Sequence, residues 1–297
     1  MLKRRFAATS AAGTILAASA LALAQTRTTP APKTGYAPVN GLNLYYEIHG
    51  VGEPLILLHG GLQATEMLGG ILPALSHNRQ VIAVDLQAHG RTTDIDRPLS
   101  YEAMADDIAA LMKHLGISKA DVMGYSLGGG VALRSAIQYS DIVRKLVVVS
   151  TVFRHDGWYP AVLAAMAQMG AGSAEMMKPS PIYQTYARIA PRPADWPVLL
   201  AKIGDLLRKD YDWSSEVAGI KAPTMLVFGA ADAIRPEHMV QFFQLLGGKK
   251  DAGWDGSGLP IARLAVLPGR THYDIFSSPA LAPTVTLFLR APMPGAE

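Results

Sequence analysis

The sequence contains no cysteine among its 297 residues. Disulfide bonds, thiolate metal ligands, a cysteine nucleophile and lipid attachment through an N-terminal cysteine are therefore excluded. Charged residues are sparse at 17%, whereas apolar residues make up 49%. This composition is typical of a chain that buries a sizeable core, and it argues against disorder. The length predicts one large domain or two small ones.

Apart from its N-terminus, the chain has no excess of positive or negative charge. The formal net charge is +3, and three basic residues, Lys3, Arg4 and Arg5, lie together at the N-terminus. Without them, basic and acidic residues are equal in number. Charge therefore gives no reason to expect a nucleic-acid partner, or a membrane partner once the N-terminal segment is removed.

A membrane-spanning apolar run is also missing, because the apolar part of residues 1–24 is too short and too weak for one. The basic start, this apolar stretch and the small-x-small end Ala22-Leu23-Ala24 predict a signal peptide cleaved before Gln25. The chain is thus expected in the periplasm or outside the cell. An uncleaved anchor or a disordered tail is the alternative, and Arg4-Arg5 leaves the export route open.

Short apolar runs alternate with helical patterns after a Pro- and Thr-rich stretch, residues 25–40, that predicts a linker. The later runs are almost wholly apolar, which is typical of parallel strands buried on both faces. The alternation predicts an α/β fold with a mostly parallel central sheet and flanking helices. Strands are expected at 42–48, 54–59, 80–85, 120–125, 145–150, 223–228 and 262–267, and helices at 101–116, 130–139 and 236–247.

One interval, residues 153–215, carries no strand signal and contains three of the four tryptophans. Its position after a strand predicts a helical cap over the edge of the sheet. Its basic and acidic residues nearly cancel, so a strongly charged substrate is not indicated. The core is expected in two parts on either side of this cap, at 41–152 and 216–297.

The segment "GYSLG", residues 124–128, places Ser126 between an apolar run and a helical pattern. A strand, a tight turn and a helix are the context that a nucleophile elbow requires. Glycines two residues before and after the serine permit the tight turn. The adjacent helix N-terminus offers free N–H groups to a developing negative charge. The string alone is weak, because glycine and serine are common residues.

Partners for Ser126 occur in a suitable order along the chain. The glycine-rich turn after the second apolar run predicts that the N–H groups of Gly61 and Leu127 form an oxyanion hole, with Leu62 as the alternative to Gly61. Asp232 follows a buried run and can fix the tautomer of an imidazole. His272 follows the last run, and the ordinary pKa of histidine, about 6.5, suits a base near neutral pH.

These motifs resemble the α/β-hydrolase fold superfamily, in its serine-nucleophile, esterase-like branch with a helical cap. The matching segments are "HGG", "VIAVDLQAHGRT", "GYSLGG", "GAADAI" and "PGRTHYDIF". The resemblance implies Ser126 as nucleophile, His272 as base and Asp232 as acid. Asp156 is a rival acid, since some members supply the carboxylate after the preceding strand. Haloalkane dehalogenases and epoxide hydrolases carry aspartate at the elbow, so their chemistries are disfavoured.

The sequence thus predicts an exported serine hydrolase that cleaves carboxylic esters or lactones, small-molecule substrates, through an acyl-enzyme on Ser126. Candidate substrate-binding residues are Leu62, Tyr125, His155 and Trp158. No Walker loop, dinucleotide fingerprint or metal-ligand spacing occurs in the sequence, so no cofactor and no metal are expected. The oligomeric state stays open.

Three alternatives remain at this point. The same triad could cleave amide, carbon–carbon or thioester bonds or carry out perhydrolysis. The protein could instead bind a ligand with a vestigial triad, because a fold does not fix a function. A purely structural protein of the cell envelope ranks last, because it would need no ordered Ser, Asp and His set.

Overall fold

The computed structural model describes residues 31–292, which form eight strands and ten α-helices. The strands are β1 (Lys33–Val39), β2 (Leu42–His49), β3 (Glu53–Leu58), β4 (Arg79–Val84), β5 (Ala120–Tyr125), β6 (Val143–Val149), β7 (Thr224–Ala231) and β8 (Ala262–Thr271). The helices are α1 (Leu72–Ser76), α2 (Tyr101–His114), α3 (Leu127–Gln138), α4 (Pro160–Ala167), α5 (Ala174–Met177), α6 (Pro181–Ile189), α7 (Trp196–Leu207), α8 (Ser214–Val217), α9 (Pro236–Phe243) and α10 (Leu281–Arg290).

All eight strands belong to one sheet in the order β1-β2-β4-β3-β5-β6-β7-β8. The pairs β1–β2 and β2–β4 are antiparallel, and every pair from β4 to β8 is parallel. The predicted fold class is confirmed. Because the strands from β3 onward run the same way, their carboxyl ends share one edge of the sheet, where ligands bind in such folds.

Helices cover both faces of the sheet because successive strand residues point to opposite sides. On β3, Ile56 and Leu58 belong to one buried cluster, together with apolar residues of α2, α3 and α7. Leu55 and Leu57 belong to a second cluster, with residues of α1 and α10. Burial on both sides explains why the parallel strands are nearly continuous apolar runs.

Each of the seven expected strands is present, but the prediction of a linker over 25–40 is wrong for its last part. Residues 33–39 form β1, which pairs with β2 as a hairpin. The two residues between the strands, Asn40 and Gly41, have φ of 48° and 83°. Asn-Gly is a strong signal for a two-residue hairpin turn of this kind. The pairing overrides the polar composition of the segment.

The predicted cap interval is wholly described and contains α4 to α7 and the start of α8, but no strand. The predicted signal peptide, residues 1–24, lies outside the described residues, as do 25–30 and 293–297. Between residues 31 and 292, no helix combines the length and the apolar character needed to cross a membrane.

Candidate active site

Ser126 occupies the turn between β5 and α3 with φ 52° and ψ −115°. L-residues rarely adopt this conformation, so the turn is strained at Ser126. Two glycines make the turn sterically possible. A Cβ at Gly124 would collide with the carbonyl of Gly128, and a Cβ at Gly128 would collide with the carbonyl of His59. The expected elbow geometry is present.

Three hydrogen bonds to two neighbouring segments hold this turn. The Ser126 N–H donates to the Val149 carbonyl at 2.9 Å, and the Thr151 hydroxyl donates to the Ser126 carbonyl at 2.7 Å. The Gly128 N–H donates to the His59 carbonyl at 3.1 Å. The strained residue is therefore fixed by the ends of β3 and β6, as a strained position requires.

The side chains of Ser126, His272 and Asp232 form a continuous hydrogen-bonded line. Ser126 Oγ lies 3.0 Å from His272 Nε2, and His272 Nδ1 lies 2.9 Å from Asp232 Oδ1. A carboxylate only accepts hydrogen bonds, so it favours the tautomer with the proton on Nδ1. Nε2 is then free to accept the proton of the serine hydroxyl.

The environment of Asp232 favours the charged form that this tautomer needs. Burial raises the pKa of the carboxyl, but hydrogen bonds from His272 and Ser150 outweigh it and lower the pKa below its ordinary value. The rival acid, Asp156, lies on the surface, where its carboxylate is 2.5 Å from Arg154 Nε. Of these two carboxylates, only that of Asp232 contacts His272.

The loop that carries His272 is held by contacts with two aromatic side chains, those of Tyr125 and Trp158. The Tyr125 hydroxyl donates to the His272 carbonyl at 2.6 Å. The Trp158 ring meets the imidazole edge to face, with centroids 5.3 Å apart. The structure does not support Tyr125 as a substrate-binding residue, because its side chain is 2% exposed and its hydroxyl is already engaged. Trp158 lies directly beside the triad.

Backbone donors without acceptors lie next to Ser126. Within residues 31–292, the N–H groups of Gly61, Leu62 and Leu127 donate to no protein atom. A Cβ placed on Gly61 would be 3.8 Å from Leu127 Cβ, so the two segments are in contact. Buried N–H groups are normally paired, and unpaired ones that converge beside a nucleophile can bind a developing oxyanion.

His59, fully buried at the end of β3, orients one of these donors. Its Nε2 accepts from the Leu86 N–H at 3.1 Å, so Nδ1 carries the proton and donates to the Gly60 carbonyl at 2.7 Å. In a trans peptide the carbonyl and the following N–H point in opposite directions, so the Gly61 N–H faces away from His59. Burial lowers the pKa of His59 to about 4, which keeps the ring neutral.

The remaining predicted substrate-binding residues differ in their placement. Leu62 is buried, has φ 63° and belongs to the turn after β3, residues 59–63, which is called the oxyanion loop from here on. His155 is not brought to the triad. Its Nε2 lies 3.0 Å from the Leu207 carbonyl, and its Nδ1 lies 3.7 Å from the Asp210 carboxylate, both within the cap interval. His155 therefore serves contacts inside the cap.

Two ion pairs attach the cap to the loops at the carboxyl edge of the sheet. Lys202 on α7 lies 2.6 Å from the carboxylate of Asp94, and Arg188 on α6 lies 2.8 Å from that of Glu66. The Ile203 side chain comes within 4.0 Å of a Cβ placed on Gly61. The cap thus reaches the oxyanion loop. In the described part of the chain, no three His, Asp or Glu side chains are arranged to hold a metal ion.

Comparison with protein families gives a match over residues 53–177 to the α/β-hydrolase fold. A pimeloyl-[acyl-carrier protein] methyl ester esterase from Neisseria meningitidis serogroup B is 32% identical over 208 residues, which cover 64% of this chain and 79% of that protein. A soluble epoxide hydrolase from a Corynebacterium species is 35% identical over 119 residues, which cover 39% of this chain and only 41% of that protein.

Among solved structures, the carboxylesterase CesB from Bacillus subtilis superposes with a TM-score of 0.68. The alignment covers 89% of this chain and 93% of that one, at 20% sequence identity. At this identity the similarity shows the shared fold alone.

Proposed function

Because the chain belongs to the esterase-like α/β-hydrolase fold family, we propose that it is an exported serine hydrolase of carboxylic esters or lactones. One observation carries the proposal. The hydroxyl of Ser126 is hydrogen-bonded through His272 to the ionised Asp232, and unpaired N–H groups lie beside it. This arrangement contains a nucleophile, a base, an orienting acid and an oxyanion hole.

Acylation uses each part of this arrangement. His272 Nε2 takes the hydroxyl proton as Ser126 Oγ bonds to the carbonyl carbon of the ester. The negative charge that develops on the former carbonyl oxygen is held by the N–H groups of Gly61 and Leu127. The tetrahedral intermediate then expels the alkoxide, which takes the proton from Nε2 and leaves as the alcohol. The acyl group remains on Ser126.

Deacylation repeats the sequence with water. His272 Nε2 removes a proton from a water molecule as its oxygen bonds to the acyl carbon. The second intermediate breaks its bond to Ser126 Oγ, which recovers the proton from Nε2, and the carboxylic acid is released. Throughout, the carboxylate of Asp232 stabilises the imidazolium that forms in each half of the cycle.

The surroundings support an uncharged or weakly polar substrate. Apolar side chains, among them Trp158, Leu127 and Ile203, lie around the serine and the oxyanion loop. The two cap cations that reach the carboxyl edge of the sheet through ion pairs, Arg188 and Lys202, are engaged with carboxylates. Epoxide hydrolysis is not proposed, because the elbow carries serine rather than the aspartate that the resemblance assigns to those enzymes.

Hydrolysis of p-nitrophenyl esters, from acetate to decanoate, tests the proposal. We expect the protein without residues 1–24 to hydrolyse the shorter esters, and Ser126→Ala to lose about 10⁴-fold or more in kcat with an unchanged circular dichroism spectrum. Equal rates in the two proteins would rule out Ser126 as the nucleophile. Absence of ester hydrolysis in both, with turnover of a thioester or anilide, would select the alternative acyl chemistries.

Export rests on the pattern of residues 1–24 and has a separate test. The gene expressed with these residues should yield a secreted or periplasmic protein whose intact mass corresponds to a chain that starts at Gln25. A protein that stays in the cytoplasm with residues 1–24 intact would contradict export and leave the proposed chemistry standing.

A further inference from the structure

The carboxylate of Asp232 accepts four hydrogen bonds, two on each oxygen. Oδ1 accepts from His272 Nδ1 at 2.9 Å and from the Ala233 N–H at 2.8 Å. Oδ2 accepts from the Ser150 hydroxyl at 2.5 Å and from the Gly229 N–H at 3.1 Å. Of these four donors, only Ser150 belongs neither to the triad nor to the segment that carries Asp232, which is β7 and the loop after it. The bond from Ser150 is also the shortest of the four contacts.

Ser150 itself is unusual in its backbone. It follows β6, is fully buried, and has a φ of 50°, a backbone conformation that residues with a Cβ rarely adopt. Its N–H donates to the Val227 carbonyl, which ties it to β7. Within residues 31–292 its hydroxyl makes a single hydrogen bond, the one to Asp232. Glycine would adopt this conformation without strain, so only the hydroxyl distinguishes serine functionally at this position.

We propose that Ser150 is a positioning residue of the site, which holds the Asp232 carboxylate so that Oδ1 faces the imidazole of His272. The inference rests on the proposed function, because it assigns Ser150 a role only through the triad. The hydroxyl holds Oδ2 from the residue after β6, together with the Gly229 N–H of β7, and so opposes rotation of the carboxylate away from Nδ1. It also draws negative charge toward Oδ2, which tunes how strongly Oδ1 stabilises the imidazolium.

The charge effect predicts a change in the pH–rate profile. Without the hydroxyl, the negative charge on Oδ1 increases and protonated His272 is favoured, so the acidic limb of kcat/KM moves to higher pH. Titratable groups close to His272 include Tyr125 and Tyr273, whose ring centroids lie 5.5 Å and 5.8 Å from that of the imidazole, and Asp274, two residues along the chain. Tyr125 binds the His272 carbonyl, and the Asp274 carboxylate binds the Thr271 backbone and hydroxyl. None of these contacts involves Ser150, so its substitution leaves them in place.

The test compares Ser150→Gly and Ser150→Ala with the wild type, using p-nitrophenyl butyrate and thermal unfolding. Both variants should lose about tenfold in kcat, with KM within about twofold, and their acidic limbs should rise by about half a pH unit. Glycine relieves the strain at φ 50°, so Ser150→Gly should unfold at a higher temperature than Ser150→Ala. The two variants would then share the same loss of kcat despite different unfolding temperatures, so the loss would come from the missing hydroxyl and not from lower stability.

Two further variants complete the test. Ser150→Cys keeps a weak donor in a similar shape, so its kcat should lie between those of serine and glycine. Ser135→Ala is the matched control, because Ser135 is also buried but, among the described residues, its hydroxyl bonds only to the Val131 carbonyl within α3. It should keep the wild-type kcat and pH profile.

The outcomes separate the two proposals. One outcome would overturn the role of Ser150 and leave the proposed function intact. In that outcome Ser126→Ala is inactive, while Ser150→Gly and Ser150→Ala both keep the wild-type kcat and the wild-type acidic limb of the pH profile of kcat/KM. Activity retained by Ser126→Ala would remove the triad, and with it the role of Ser150. If Ser150→Gly does not fold, the ranking of Ser150→Cys above Ser150→Ala in kcat decides the question.

Discussion

Strands β5 and β6 have buried polar residues at both ends. Those at the amino end bind charged partners or the end of a helix, whereas, within residues 31–292, the carboxyl end has unpaired N–H groups. At the amino end, the Asp121 carboxylate accepts from Arg79 at 2.6 Å and from Arg144 at 2.8 Å. Lys145 donates to backbone carbonyls at the end of α10. At the carboxyl end, Ser126 and Ser150 both have positive φ, and unpaired N–H groups lie beside Ser126.

This difference between the two ends shows that neither a cluster of charged residues nor a cleft is sufficient to locate a candidate active site. A cleft of about 400 Å³ lies at the amino end, lined among others by Arg79, Arg144 and Lys145. Those cations already bind a carboxylate or a helix end, so the amino end holds the fold together. The carboxyl end instead combines a strained serine with unused donors, and the proposed acyl transfer uses both features.

The largest expected effect concerns the acid at the carboxyl end. Asp232→Asn should lower kcat by about 10³- to 10⁴-fold, because an amide can donate a hydrogen bond to Nδ1 and so favours the wrong tautomer of His272. Hydrolysis of p-nitrophenyl butyrate measures it. The matched control, Asp156→Asn, should stay within about twofold, since Asp156 pairs with Arg154 on the surface. Equal losses in the two variants would contradict the assignment.

The corresponding substitution at the amino end should affect stability and not catalysis. Asp121→Asn removes the charge that pairs with Arg79, whose side chain is only 6% exposed. Leaving a buried cation without its partner should lower the free energy of unfolding by about 3 kcal/mol. Urea denaturation measures this loss. A large fall in kcat for the folded variant would show that the two ends are not functionally distinct.

The neutral histidine behind the oxyanion loop should produce a pH dependence of stability. Burial lowers the pKa of His59 from 6.5 to about 4. Between these values the unfolded chain binds a proton that the folded chain does not, so His59 favours the folded state above pH 6.5 and this contribution is lost as pH falls toward 4. The contribution of His59 to the slope of the free energy of unfolding against pH should reach about 1.4 kcal/mol per pH unit, in addition to that of other buried histidines such as His238.

Urea denaturation at pH 7, 6 and 5 measures that slope in the wild type and in His59→Asn. The variant lacks the titrating ring, so the free energy of unfolding should fall less steeply with decreasing pH. Its kcat should also fall, because the shorter asparagine side chain cannot donate to the Gly60 carbonyl and accept from the Leu86 N–H at the same time, so the Gly61 N–H is held less firmly. Identical slopes in the two proteins would mean that His59 does not titrate as its burial implies.

The smallest expected effect concerns the tether between the cap and the carboxyl edge. Lys202 binds the Asp94 carboxylate and the carbonyls of Ile95 and Arg97. Lys202→Met should lower the free energy of unfolding by about 1 kcal/mol and raise KM more than it lowers kcat, because the triad is untouched. Lys209→Met is the control, since within residues 31–292 the Lys209 ammonium makes a single long hydrogen bond, at 3.5 Å, to the Leu99 carbonyl. A fall in kcat with unchanged KM would contradict this role.

The sequence was a good guide where local patterns decide the structure. Apolar runs located seven strands, and the spacing around Ser126 predicted the strained elbow. The first strand was missed because its Pro- and Thr-rich composition is that of a linker, although the pair Asn40-Gly41 signals a hairpin. Composition is a weak guide when pairing with a neighbouring strand supplies the stability.

The site was less predictable where contacts span long separations. Ser150 meets Asp232 across 82 residues, and nothing near Ser150 in the sequence indicates that its hydroxyl has this partner. Tyr125 and His155 were predicted to bind substrate from their positions beside the elbow and in the cap. Packing directs the Tyr125 hydroxyl to the loop of His272 and the His155 ring to Leu207. Side-chain direction depends on tertiary structure that one sequence does not reveal.

The central claim is that Ser126 becomes acylated, and covalent labelling with a fluorophosphonate tests it most directly. Trypsin releases residues 120–134, "ADVMGYSLGGGVALR", as one peptide whose only serine is Ser126. We expect one equivalent of label on the intact protein, its mass on this peptide, and loss of esterase activity in step with labelling. An active enzyme that takes up no label, or that is inactivated by label on another peptide, would contradict the account.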